Sequence, residues 1–178
     1  MLKYIAKVVM MIAQKDFRDE ELFDTRAVSE QNNIDVKIAA PLKQIAYGKL
    51  GGLVEPDYGF DEVEPARFEA IVFIGGPGAY DLIGQKNIQE LIDKFKAADK
   101  IIAAICIAPA ILAKAGVLTG KKATVHFSGV NYLQEAGAIY TEADVERDGN
   151  IITANGPAAA SLFGQEVVKR IKAKVNRE

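Results

Sequence analysis

Cys106 is the only cysteine in the 178-residue chain, and His126 is the only histidine. Cys106 follows the apolar run Ile101-Ile102-Ala103-Ala104-Ile105 and precedes Ile107-Ala108-Pro109-Ala110, so it stands where a strand gives way to a helix. A thiol at a helix start feels the partial positive charge and the free N–H groups found there, and both favour thiolate. The turn has the character of a nucleophile elbow, although the glycines of the Gly-x-Ser-x-Gly hydrolases are absent. Free cysteine is also a common small buried hydrophobe. Position alone leaves both readings open.

A second feature is Gly75-Gly76-Pro77-Gly78, directly after an apolar strand. Three glycines in four residues let backbone N–H groups come close to a ligand. The amides of Gly76 and Ile107 could together form an oxyanion hole; a tight turn without a ligand is the alternative. A dinucleotide site fits poorly, because Asp81 stands where the phosphate-binding fingerprint needs glycine. A single histidine excludes multi-histidine metal sites. His126 follows a short strand and is either a proton carrier near Cys106 or an ordinary structural histidine. Ser128 and Ser161 lack an elbow and are set aside as nucleophiles. The acidic cluster Asp16, Asp19, Glu20 and Glu21 reads first as a solvated helix start. One member turned inward against a thiolate would have to be protonated to donate a hydrogen bond, and burial favours that form.

These residues need a frame to hold them. Apolar residues make up 49% of the chain and charged residues 26%, with a net charge of −2, an ordinary globular balance without a basic face for nucleic acid or membrane. A chain of this length buries about 70% of its unfolded surface, so residues 1–178 are expected to form one domain. The apolar run 8–13 is too short for a membrane span and lacks a cleavage signal, so it reads as a buried first strand of a cytoplasmic protein. Apolar runs of strand length at 4–13, 34–40, 70–74 and 101–105 alternate with helical spacing at 19–32, 87–98 and 107–115. Short strands are expected at 123–125, 139–140 and 151–154, and a last helix from Pro157 to about 172. Residues 44–60 carry four glycines among short apolar pieces and read as a small β-hairpin excursion. The alternation implies an α/β fold of flavodoxin-like, three-layer build with a mostly parallel central sheet. Sites in such folds form at the carboxyl ends of strands. That rule singles out three loops: 14–21, 75–78 and the one beginning at Cys106.

The sequence resembles the ThiJ/PfpI superfamily, that of the Parkinson's-linked deglycase and the PfpI-type intracellular peptidases. The segments that carry the resemblance are Phe17-Arg18-Asp19-Glu20-Glu21-Leu22, Ile71-Val72-Phe73-Ile74-Gly75-Gly76-Pro77-Gly78, Ile102-Ala103-Ala104-Ile105-Cys106-Ile107-Ala108-Pro109 and Ala115-Gly116-Val117-Leu118-Thr119-Gly120-Lys121-Lys122. The later Asp148-Gly149-Asn150-Ile151-Ile152-Thr153 and Gly156-Pro157 also fit, so nearly the whole chain is covered.

The resemblance implies that Cys106 is the elbow nucleophile and that Glu21, or its neighbour Glu20, contacts the sulfur. It implies Gly76 and Ile107 as oxyanion-hole amides, His126 as a nearby third group, and Gly75, Gly156 and Pro157 around the pocket. It implies no metal or organic cofactor and assembly into a homodimer or a larger homo-oligomer. Peptidase-type members carry His directly after the nucleophile, where this chain has Ile107, so the deglycase/glyoxalase branch is the closer match. The implied activity is that of a glutathione-independent enzyme acting on small α-oxoaldehydes such as methylglyoxal. A redox-sensing or chaperone-like role through oxidation of Cys106 is the first alternative, and an intracellular peptidase the second.

Overall fold

A computed structural model describes residues 4–177. Seven strands form the central sheet: β1 (Ala6–Met11), β3 (Ile34–Ala40), β6 (Tyr58–Gly59), β7 (Ala70–Phe73), β8 (Ile101–Ile105), β11 (Val145–Asp148) and β12 (Ile151–Ala154). Their spatial order is β11-β12-β8-β7-β1-β3-β6. Every neighbouring pair is parallel except β11 with β12. The two faces are covered by different sets of residues, as the period of two along a strand requires. Val8 and Met10 of β1 and Val72 of β7 face one core, which Leu22 and Phe163 complete. Val9, Met11, Ile71 and Phe73 face the other, with Ile92, Phe95 and Leu112. This is the flavodoxin-like three-layer arrangement expected from the continuous apolar runs.

The helices follow from the sequence nearly as expected. Helix α1 (Asp19–Gln31) carries Asp19, Glu20 and Glu21 in its first turn, favourable near the positive end of its dipole. It buries Leu22, Thr25 and Ser29 along one face and stops before Asn33, whose φ is 60°. Helix α2 (Lys86–Ala97) buries Ile88, Leu91, Ile92 and Phe95, the apolar stripe read from spacing. Helix α3 (Pro109–Lys114) begins two residues later than expected, with proline in its first turn, where a missing N–H costs nothing. Helix α4 (Val130–Glu135) has no counterpart in the sequence reading, and a single 3₁₀ turn, Pro157–Ala159, precedes α5 (Ala160–Val175), so the last helix starts after Pro157 and runs past residue 172.

Other departures have local causes. The excursion at 44–60 contains the antiparallel pair β4 (Ala46–Gly48) and β5 (Leu53–Val54), but β2 (Lys15–Phe17) joins it as a parallel third strand. Residues 58–59 leave it to form the edge strand β6. The strand expected at 123–125 shortens to β9 (Lys122–Ala123), paired in parallel with β10 (Ile139–Tyr140). The Thr124 amide instead donates to Thr153 Oγ1 at 2.9 Å, outside any ladder. Strand β11 has no counterpart in the sequence reading, because Val-Glu-Arg-Asp is a polar edge strand without an apolar run. Among the described residues, no helix is long and apolar enough to cross a membrane.

Candidate active site

The three loops singled out by the carboxyl-end rule do converge. Strand β8 delivers Cys106, β7 delivers Gly75 and Gly76, and β1 leads through β2 to Arg18 and the first turn of α1. The Arg18 amide ties two of these loops together by donating to the Gly75 carbonyl at 3.0 Å. Cys106 has a left-handed φ of 64°, rare for a residue other than glycine. Its N–H donates to Ala154 O at 2.9 Å, and its carbonyl accepts from the His126 amide at 2.8 Å. The backbone is thus held on both sides, the condition under which such a conformation persists. The sulfur is partly buried, and the nearby amides of Gly76 and Ile107 pull its pKa down without the geometry of full hydrogen bonds. Helix α3 begins only at Pro109, so these two amides do the work that was expected of a helix start.

Glu21 is the buried member of the acidic cluster, with 0% exposure. Its Oε2 accepts from the Gly75 amide at 2.8 Å. The Cys106 thiol interacts with the same carboxyl, but without the geometry of a full hydrogen bond, and Oε1 is buried with no partner. Burial pushes the Glu21 carboxyl up to about 7, against the downward pull of the thiol, the Gly75 amide and Arg18. Burial, and after it the charge of Glu21, push the Cys106 thiol up to about 12, while the amides of Gly76 and Ile107 pull it down. Two groups that oppose each other's charge in a dry site hold one proton between them. With the thiol at about 12 and Glu21 at about 7, that proton rests on sulfur; moving it to Glu21 removes the charge that opposes thiolate and gives the carboxyl with the orphaned oxygen a proton to donate.

The remaining acidic residues have other tasks. Glu20 turns outward and accepts from Arg18 Nε at 2.8 Å and Nη2 at 3.2 Å. Asp19 is buried and accepts from the amides of Leu50 and Gly52 at 2.8 and 2.7 Å, which fastens the small sheet to α1. Asp16 sits at a left-handed φ of 58° at the irregular middle of β2, beside Gly76. Two glycines are required by contact. A Cβ on Gly75 would stand 2.7 Å from the Cys106 Cβ and 2.8 Å from Glu21 Oε2. Gly76 has a φ of 102°, and a Cβ there would meet the Arg18 amide nitrogen at 2.5 Å.

Above the sulfur lies a pocket of about 330 Å³. Arg18, Tyr80, His126 and Ser128 supply its polar lining, and Gly76, Pro77, Ile107 and Pro157 most of the rest. Gly75 lies beneath the sulfur and does not line it. Gly156 lines a neighbouring groove of about 340 Å³ that shares only His126 and Pro157 with the cysteine pocket. Ser161, on α5, is likewise not among the lining residues. Sequence reasoning had not assigned Arg18 or Tyr80 to the site, and it had weighed Ser128 only as a nucleophile. The usable signal was the His-x-Ser spacing at 126–128, which places both side chains on one tight turn. Among the described residues, no group of three His, Cys, Asp or Glu side chains could hold a metal ion.

The model of the DJ-1/PfpI family matches residues 6–170. The chain belongs to the DJ-1/PfpI family. An uncharacterized protein of Methanocaldococcus jannaschii is 43% identical over 94% of this chain and 83% of its own length. Deglycase PfpI of Pyrococcus furiosus is 30% identical over 92% of this chain and 99% of its own. The glutathione-independent glyoxalase DJR-1.2 of Caenorhabditis elegans is 24% identical over 92% of this chain and 88% of its own. Among solved structures, the ThiJ/PfpI domain protein of Brachyspira murdochii superposes with a TM-score of 0.93 at 30% identity, covering 96% of this chain and 98% of that one. Within this DJ-1/PfpI chain the residue after the cysteine is Ile107, which takes no proton. It is 2% exposed and packs with Ala79 and Ala110, so its bulk goes mostly into the core.

Proposed function

We propose that the protein is a glutathione-independent glyoxalase or deglycase-like enzyme that converts small α-oxoaldehydes such as methylglyoxal to 2-hydroxy acids. The observation that carries this reading is the Glu21 carboxyl, buried against the Cys106 thiol with one oxygen unpartnered and its pKa pushed up to about 7. A general acid–base group works best when its pKa lies near the working pH.

The chemistry follows from that pair. Thiolate adds to the aldehyde carbon, the carbonyl π electrons move to oxygen, and the proton held by Glu21 passes to that oxygen to give a hemithioacetal. The Glu21 carboxylate then removes the proton on the former aldehyde carbon and returns it to the adjacent carbon, while the hydroxyl proton passes from the first oxygen to the adjacent one. The product is a thioester of the 2-hydroxy acid. Water attacks the thioester, the C–S bond breaks, and the thiol regains its proton. The net change is addition of one water to the oxoaldehyde, an internal redistribution of oxidation state without an external oxidant or reductant. The amides of Gly76 and Ile107, which act on the sulfur, would stabilise the oxygen that develops charge two bonds from it.

A redox-sensing role would use the same two residues, with protonated Glu21 donating to an oxidised sulfur. Susceptibility to oxidation follows thiolate character and exposure. Burial and the Glu21 charge push the resting thiol up to about 12, which disfavours the thiolate that both roles need, so turnover and not acidity separates them. Lactate formation from methylglyoxal, followed in the wild type and in Cys106→Ala and Glu21→Gln, is the test. Loss of turnover in both variants supports the enzyme. Absence of lactate together with a gain of two oxygens on Cys106 under mild peroxide supports the sensor.

A further inference from the structure

The pocket's second polar wall is a chain of three side chains. The Tyr80 hydroxyl lies 3.0 Å from Ser128 Oγ, which lies 2.8 Å from His126 Nδ1. The direction of these bonds can be worked out from one fixed donor. The Ser128 backbone N–H points at His126 Nδ1 at 3.4 Å, so that the imidazole caps the 3₁₀ turn Phe127–Gly129. A backbone N–H can only donate, so Nδ1 must be an acceptor and carry no proton. The Ser128 hydroxyl, at 2.8 Å, is then the main donor to the single lone pair of Nδ1, with the backbone N–H as the weaker branch, and its oxygen is left to accept from the Tyr80 hydroxyl. The ring's single proton in the neutral state is therefore on Nε2.

We infer that His126 serves the reaction as a fixed hydrogen-bond donor, through Nε2–H, to the second carbonyl oxygen of the substrate, and that Ser128 and Tyr80 are positioning residues that set its tautomer. The inference rests on the α-oxoaldehyde reading for its substrate, but the tautomer itself does not. Glu21 alone then moves the proton between the two carbons, and His126 stabilises the charge that builds on the adjacent oxygen as the enediolate forms. This division of labour differs from the proton-carrier role the sequence offered for His126. It also explains why a pocket with one imidazole surrounds that imidazole with hydroxyls and not with a carboxylate.

Two measurements test it. Because the chain has a single histidine, its ¹⁵N spectrum contains one pair of ring nitrogens. In the wild type, with the ring neutral, Nδ1 should be an unprotonated, hydrogen-bonded nitrogen and Nε2 a protonated one. In Ser128→Ala the Nδ1 resonance should move toward that of a free, unprotonated nitrogen. A proton on Nδ1 in the wild type would overturn the inference, whatever the activity. The second measurement is lactate turnover from methylglyoxal in His126→Gln and His126→Ala. Glutamine places an N–H near the position of Nε2–H but cannot carry a proton back and forth. The expected result is that Gln retains kcat within about tenfold while Ala loses on the order of a hundredfold, the value of one removed donor. Equal loss in both variants would show a proton carrier and overturn the inference. If the wild type makes no lactate, the function reading fails separately and the tautomer result still stands or falls by itself.

Discussion

The two ends of the parallel sheet carry the two largest contrasts in the molecule. At the amino ends of β8 and β12 lies a cavity of about 530 Å³, larger than the pocket over Cys106 and lined by Lys96, Lys100, Lys121, Arg170, Asp99 and Asp148 among others. Its charges are mostly satisfied. Lys100 pairs with Glu69 at 2.9 Å, Lys121 with Asp148 at 3.5 Å, and Lys174 with Asp99 at 3.0 Å. Asn150 accepts from Arg170 at 3.0 and 2.7 Å. At the carboxyl ends the cavity is smaller, but it holds a left-handed cysteine, a buried carboxyl with an orphaned oxygen, and glycines with no room for a side chain. Volume does not mark the end proposed to react. Unsatisfied groups held in strained or crowded positions do.

That contrast can be broken or sharpened by substitution. Among variants that keep Cys106, the largest effect is expected from Glu21→Gln, which keeps a donor near the sulfur but cannot exchange a proton. Lactate turnover should fall by about 10²–10⁴-fold. Alkylation of Cys106 by iodoacetamide at about pH 8 should become faster, because the ionised Glu21 no longer opposes the thiolate. A fall in both rates would place Glu21 in a purely structural role. Gly75→Ala forces a Cβ to within 2.7–2.8 Å of Cys106, Glu21 and the Ile105 carbonyl. It should cost about 3 kcal/mol in urea unfolding, the upper part of the range for an overpacked core. A loss under 1 kcal/mol would show that the loop yields easily.

The pH dependence of stability has a definite sign. Glu21 is raised from 4.5 to about 7 in the folded protein, so the folded state binds its proton more tightly than the unfolded state. Its contribution is therefore most favourable below about pH 4.5, declines as pH rises through the window to about 7, and is level above it. The difference amounts to about 3 kcal/mol at 1.36 kcal/mol per unit. Comparing denaturant midpoints of the wild type and Glu21→Gln between pH 4 and 8 isolates it: the variant should lose this decline. At the amino end, Lys121→Ala removes an ion pair of 3.5 Å whose Lys121 side chain is 45% exposed, and stability should change by less than about 1 kcal/mol with turnover unaltered. A large loss of activity there would place chemistry at the wrong end of the sheet.

The difference between the ends also explains what could be read from the sequence. Apolar runs marked β1, β3, β7 and β8 because strands buried on both faces need unbroken hydrophobicity, and the carboxyl-end rule then located Cys106, Gly76 and the loop before α1. Strands β2 and β11 were invisible because Lys-Asp-Phe and Val-Glu-Arg-Asp carry no such run. Within the acidic cluster, composition could not separate Glu20 from Glu21. The separation depends on the rotation of α1, which turns Glu20 toward Arg18 and buries Glu21 over Gly75. Tyr80 and Ser128 are 48 residues apart and meet only through tertiary packing, so no local pattern joined them.

The central claim is that Cys106 and Glu21 form one reacting pair at the carboxyl end of the sheet. The most direct measurement is D-lactate production from methylglyoxal in glutathione-free buffer, wild type beside Cys106→Ala. Turnover above about 1 s⁻¹, near the low end for ordinary enzymes, is expected in the wild type and vanishes in the variant. Turnover that survives in Cys106→Ala, or a wild type that makes no lactate, would contradict it.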